Sequence, residues 1–242
     1  PSDDLRNLRG LPIELVPGDV TDAAAVRAAV AGPSWVFHLA AIYALWMKDP
    51  SRMRRVNVEG TRTVLAAARD AGARVVHTSS IARFGGQGRG RQANEDSPYA
   101  LGPTGDTYAN TKHEAHEVAL AASREHDVVI VAPTGPIGPG DVGPTPTGKL
   151  LLECATMPVA VLVDTVSNFA DVRAMARAHV SAAERGERGR VYLLGERDVS
   201  LVEMTRIAHD VLGLPLARFR RVVVPYAAAS AFGHAALAYT TL

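Results

Sequence analysis

Tyr108 and Lys112 stand four residues apart in the run Thr107-Tyr108-Ala109-Asn110-Thr111-Lys112. That spacing puts a phenol and an ammonium on one face of a helix. A cation so close favours the phenolate and draws a tyrosine from its reference pKa of about 10 toward neutrality. A phenol tuned in this way can exchange a proton with a carbonyl or an alcohol. By itself Tyr-x-x-x-Lys is most often surface decoration, so its meaning depends on what the rest of the chain brings to it. One complement is a hydroxyl that could hold a substrate oxygen beside the phenol, and Ser79-Ser80 closes an apolar run upstream of it.

The elements that must position these groups can be read from period. Short apolar runs alternate with helical patterns through the first two thirds of the chain, which predicts an α/β fold with β-α units in a parallel sheet. Ile13 to Val16 reads as a strand, and Thr21-Asp22 opens a helix through Ala31 that closes at Gly32-Pro33. Trp35 to Ala41 reads as a second strand ending in small residues. A long helix from Ser51 to near Gly72 leads to a third strand, Arg74 to Ser80. A polar, glycine-rich loop, Gly85 to Gly105, precedes Asp106, which can cap a helix carrying Tyr108 and Lys112 to about His126. Asp127 to Val131 is the fourth strand. Ligands of open parallel sheets lie beyond the carboxyl ends of the strands. Those places here read Gly18-Asp19-Val20, Leu39-Ala40-Ala41, Ser79-Ser80 and Pro133-Thr134-Gly135.

Composition narrows the class of protein. With 242 residues, 47% of them hydrophobic, and a formal charge of +1, the chain reads as a soluble globular protein without the basic footprint of a nucleic-acid binder. A single cysteine, Cys154, excludes an internal disulfide framework and a thiolate metal cluster, which fits a reducing compartment. Pro1 to Gly10 is polar and charged, so no signal peptide is read and a cytoplasmic protein is expected. Val222 to Leu242 carries no formal charge and follows Arg218, Arg220 and Arg221. Its small residues, with Pro225, Gly233 and His234 among them, suit a helix packed on a core better than a membrane span, and membrane association is not expected.

The ordered motifs resemble those of a known family. Gly18-Asp19-Val20, His38-Leu39-Ala40-Ala41, Asn57-Val58-Glu59-Gly60-Thr61, Ser79-Ser80, Tyr108-x-x-x-Lys112 and Pro133-x-x-Pro136-Ile137-Gly138-Pro139-Gly140 are similar to an extended short-chain dehydrogenase/reductase of the NAD-dependent epimerase/dehydratase type. Within it, Tyr43-Ala44-Leu45-Trp46 and Pro144-Thr145-Pro146-Thr147-Gly148 resemble hopanoid-associated sugar epimerases and dihydroflavonol reductase-like proteins. The resemblance implies a Rossmann-type doubly wound sheet, NAD or NADP as cofactor, a small-molecule substrate and a homodimer built through the two long helices. It implies Ser80, Tyr108 and Lys112 as the catalytic set, with Ser80 preferred to Ser79 as the last hydroxyl before the turn. Asp19 and Val20 would meet the adenine, Leu39, Ala40 and Ala41 the pyrophosphate and ribose side, Asn57 the inner face of the cleft, and Pro133 the nicotinamide. Tyr43 and Trp46 would line the substrate mouth.

One departure from the family pattern stands out. Such proteins start with a strand, a Gly-x-x-Gly-x-x-Gly turn and a helix, and this sequence has no such motif. Pro1 to Gly10 reads like the connection after the second strand, so the first β-α-β unit is expected to lie outside the sequence, and with it the residue that chooses NAD or NADP. Residues 1–140 are thus expected to form the dinucleotide-binding domain and 141–242 a smaller substrate-binding lobe interleaved with the sheet. In that lobe a helix from Lys149, a strand Val159 to Val163, a helix Val172 to Arg185, a strand Val191 to Leu194 and a helix opened by Ser200-x-x-Glu203 are read. Lys149, Arg206 and Arg218 are scattered candidates for a charged substrate. No metal site is expected: His113 and His116 read as solvated helix positions, His38 and His77 as buried, hydrogen-bonded strand residues. Two alternatives stay open, a ketone or aldehyde reductase and a dinucleotide-binding sensor or scaffold without turnover.

Overall fold

The computed structural model describes residues 5–44, 46–87, 91–157, 159–215 and 220–240. Along the chain the helices are α1 (Ala23–Ala29), α2 (Pro50–Arg54), α3 (Gly60–Asp70), α4 (Thr107–Ala122), α5 (Pro146–Thr156), α6 (Val172–Arg185), α7 (Leu201–Leu212) and α8 (Tyr226–Thr240). The strands are β1 (Trp35–His38), β2 (Arg74–Thr78), β3 (Val128–Pro133), β4 (Gly135–Ile137), β5 (Val159–Val163), β6 (Val166–Asp171), β7 (Val191–Leu194), β8 (Arg197–Ser200) and β9 (Arg220–Val224). They form two compact units, one of Pro1–Val142 with Ala170–Gly195, the other of Gly143–Phe169 with Glu196–Leu242.

The first unit is built on a parallel sheet in the order β1-β2-β3-β7. Side chains alternate across it, so each strand feeds two cores. Val75, Val128 and Ile130 pack with Leu65 and Ala68 of α3 and Ala119 of α4 on one face. Val76, Val129 and Val131 meet Ala182 and Ala183 of α6 on the other. Capping sets the helix starts as the sequence implies: Asp22 accepts from Ala24 and Ala25, and Asp106 from Ala109. The expected long helix from Ser51 is continuous but interrupted by a π-helical turn, Arg55–Glu59, which joins α2 to α3 and buries Asn57 and Val58.

Several expectations need correction. Ile13 to Val16 is not a strand: it runs exposed, with no ladder partner among the described residues. A β pattern becomes a strand only when a neighbour accepts its hydrogen bonds. Trp35 and Phe37 on β1 and Leu39 just beyond it are also exposed, 44%, 39% and 58%, along one side of this edge strand. β1 and β2 stop at His38 and Thr78 rather than Ala41 and Ser80, β3 runs on to Pro133, and α4 ends at Ala122, four residues early.

In the second unit α5 packs on α7, whose caps are Ser200, accepting from Glu203, and Gly213 at φ +64°. β5 pairs with β9 in parallel, and Val166–Phe169 of β6 pairs antiparallel with β8. The strands β4, β6, β8 and β9 were not expected. Val222 to Val224 belongs to β9, not to a helix, because Pro225 separates the strand from α8. The described start of α8 is not packed on a core either, since Tyr226 and Phe232 are 65% and 77% exposed. Among the described residues no helix is long and apolar enough to cross a membrane. Pro1 to Asp4, Leu45, 88–90 of the glycine-rich loop, Arg218 and Leu242 lie outside the described residues.

Candidate active site

β2 ends at the centre of the sheet, between β1 and β3, and α4 starts beside it. Ser80 lies two residues beyond β2, where its hydroxyl caps a short turn by accepting from the Ala82 amide at 3.2 Å and lies near enough to the Tyr108 phenol to lower its pKa. Ser79 faces elsewhere: it is buried, with Oγ 2.9 Å from Nδ1 of His116. Of the two serines, only Ser80 is brought to the phenol. One turn along α4, the ammonium of Lys112 donates to the carbonyl of Thr78 at 2.7 Å. The β1 register ends at His38, opposite His77, so β1 has no residue opposite Thr78.

The electrostatics differ from the expectation that Lys112 makes Tyr108 more acidic. Burial dominates Tyr108 and pushes its pKa above the usual tyrosine value, the nearby Ser80 hydroxyl pulling partly back and Tyr43 and Asp106 adding to the rise. The phenol is therefore a protonated donor at neutral pH. Lys112, 4% exposed, is itself pushed down to about 8 by burial. A buried ammonium loses hydration that the single Thr78 carbonyl only partly replaces.

The other candidates lie around this pair or apart from it. The Tyr43 ring lies 4.8 Å from that of Tyr108, tilted by 43°. Trp46, 81% exposed, makes no comparable ring contact. Leu39, Ala40 and Ala41 are exposed beyond β1, and Pro133 ends β3 opposite Leu194. Asn57 is buried with its amide fully engaged, accepting from the Ile42 amide at 2.7 Å and donating to the Ile42 carbonyl and to Thr111, both at 3.1 Å. It fastens the segment after β1 to α4 rather than facing open space. Asp19 is exposed and held by the Thr21 amide and hydroxyl at 2.8 Å, which lower its pKa. Val20 packs against Gly60 of α3. Lys149 and Arg206 are exposed in the second unit.

The histidines depart from expectation. His116 is fully buried on Ser79, not solvated, and His113 stacks on Tyr99 with ring centroids 4.2 Å apart. The two sit on sides of α4 covered by β2 and by the loop before the helix, which a three-residue spacing alone does not reveal. His38 is buried on the Thr61 hydroxyl at 2.9 Å, as expected, whereas both ring nitrogens of the buried His77 lack a hydrogen-bond partner among the described residues. No group of metal-binding side chains occurs among the described residues. The residues that the sequence did not single out are Thr78, which receives Lys112, and His179, which holds the Thr78 hydroxyl.

A parallel sheet with helices on both faces and polar groups gathered beyond the strand ends defines a Rossmann-type protein. The chain belongs to the NAD dependent epimerase/dehydratase family, which it matches over residues 2–195. It is 39% identical over 215 residues to a protein of Synechocystis sp. provisionally named a dihydroflavonol 4-reductase, covering 86% of this chain and 62% of that one. The crystal structure of gox2253 superposes with a TM-score of 0.83 at 35% identity, over 92% of this chain and 68% of that one. DesIV, a dTDP-glucose 4,6-dehydratase from Streptomyces venezuelae solved with NAD and TYD bound, gives a TM-score of 0.76 at 26% identity over 90% and 70%. The chain spans a little under two thirds of the first curated relatives it matches.

Proposed function

We propose that this chain carries the proton-handling part of a NAD- or NADP-dependent enzyme working at a carbinol or ketone carbon of a sugar-like or small ketone substrate. The observation that carries this reading is the gathering of Ser80 and Tyr108 at the end of the central strand, close enough for Ser80 to lower the phenol's pKa, with Lys112 one helical turn away on the Thr78 carbonyl. The residues present suit a dinucleotide. Three adjacent strand ends offer exposed Leu39, Ala40 and Ala41, Ser80 with Tyr108, and Pro133, while Asp19 and Val20 lie on the loop before α1. When bound, the nicotinamide supplies the hydride acceptor or donor.

Tyr108 then moves the proton to or from the substrate oxygen, and Ser80, fixed by the Ala82 amide, hydrogen-bonds that oxygen. Lys112 places positive charge behind the phenol and stabilises the phenolate left after transfer. Asn57 holds the backbone of Ile42, and with it the strand-end loop that would face the cofactor. Tyr43 walls the substrate side of the phenol. The reading also puts the protein in the cytoplasm and a second copy on α3 and α4. Between those two helices a groove of about 340 Å³ lined by Leu65, Ala66 and Val118 is open.

A ketone or aldehyde reductase is the second reading, favoured by the relative named a dihydroflavonol 4-reductase. The test is turnover by the natural full-length protein with NADH or NADPH against a panel of ketones and nucleotide sugars. Turnover that Tyr108→Phe lowers by at least about 100-fold, the low end of general acid-base contributions, supports the enzyme. Dinucleotide binding with no turnover across the panel supports a sensor or scaffold instead.

A further inference from the structure

Lys112 docks on a carbonyl whose own side chain is held from the far side of the sheet. Alternation sends Val75 and His77 of β2 toward α3 and α4, and Val76 and Thr78 toward α6. The Thr78 carbonyl receives Lys112 of α4, while its hydroxyl meets Nε2 of His179 on α6 at 3.0 Å. His179 is buried, and its Nδ1 lies 2.8 Å from the carbonyl of Met175, one turn earlier. A carbonyl can only accept, so Nδ1 carries a proton, and with that one proton on the ring Nε2 accepts from Thr78. Both ends of the imidazole are thereby assigned, and the β-branched Thr78 has its stiff χ1 pinned.

We propose that His179 is a positioning residue of the proton-transfer site, which through Thr78 sets the docking point of the Lys112 ammonium. The inference rests on the role given above to Lys112 beside Tyr108. Other titratable groups act on Lys112 from β1 (His38), β2 (His77) and its own helix (His116), with Tyr108 one turn earlier on that helix, and none of these is bonded to the Thr78 hydroxyl, which His179 holds. A change that enters through His179 is therefore separable from their effects.

The chain has three lysines, Lys48, Lys112 and Lys149, so Lys112 can be followed directly in this chain labelled with carbon-13 at lysine Cε. In His179→Leu the Lys112 signal is expected to titrate about one pH unit lower, a tenfold loss of proton affinity, with Lys48 and Lys149 unmoved. Thr78→Val should reproduce that shift, and the double variant should add little to it. His179→Gln, whose amide oxygen can accept from Thr78, should restore most of it. Where the family activity is present, kcat should fall about tenfold in His179→Leu with KM nearly constant. An unchanged Lys112 midpoint in His179→Leu, or in Thr78→Val should the first variant not fold, overturns the proposal. A shifted midpoint in a protein that turns over no substrate leaves the positioning chain standing and removes the enzymatic reading.

Discussion

At the scale of the residue, Lys112 is a base kept where its charge is poorly solvated. Its folded pKa of about 8 lies below the unfolded value of about 10.5, so between these pH values the unfolded chain binds more protons and stability rises with pH. The thermal midpoint of the protein should therefore gain on that of Lys112→Met as the buffer is taken from pH 7.5 to 9.5. A constant difference between the two would mean that the ammonium is hydrated. Above about pH 10 Tyr108 and Tyr99, both pushed up, act in the opposite direction, which sets the upper end of the test. Tyr108, Lys112 and Ser80 were legible in the sequence because helical spacing and strand endings are local. Thr78 and His179 were not, since their roles depend on which residues the sheet brings together across 101 positions of chain.

At the scale of the element, the segment Gly18-Asp19-Val20 is located by a close approach rather than by hydrogen bonds to a strand. A Cβ on Gly60 would stand 2.6 Å from Cγ2 and 3.3 Å from Cβ of Val20. Alanine there gains about 1 kcal/mol of helix propensity, but the stiff valine cannot turn away and overpacking costs about 1–3 kcal/mol. Gly60→Ala should thus lower the unfolding midpoint, and adding Val20→Ala should recover part of the loss. A single variant more stable than the parent would show the loop to be free of α3. Strongly patterned elements, such as α6 and α7, matched their reading because burial and capping agree locally. The π turn Arg55–Glu59 did not show in the sequence, because one extra residue per turn leaves composition untouched while bringing Asn57 inward. β8 escaped for the opposite reason, two of its four residues being charged.

At the scale of the whole molecule, buried imidazoles link stability to acid. Burial pushes His38 down to about 4, His116 to about 3 and His77 well below its usual value, so from pH 6.5 downward the unfolded chain takes up protons that the folded chain refuses. Unfolding free energy from urea titrations should fall steadily between pH 6.5 and 4.5. His77→Leu should remove about one proton from that slope, roughly 1.4 kcal/mol per pH unit, with no loss of stability at pH 7, because neither ring nitrogen of His77 has a partner to lose. An unaltered slope would place the uptake on other groups. The exposed flank of β1, with Trp35 and Phe37, has a further bearing on handling. Among the described residues β1 has a ladder partner on one side alone, and such a free edge beside aromatic side chains is a template on which another extended chain can grow. Crowding of molecules rather than heat should therefore set how long a preparation stays clear.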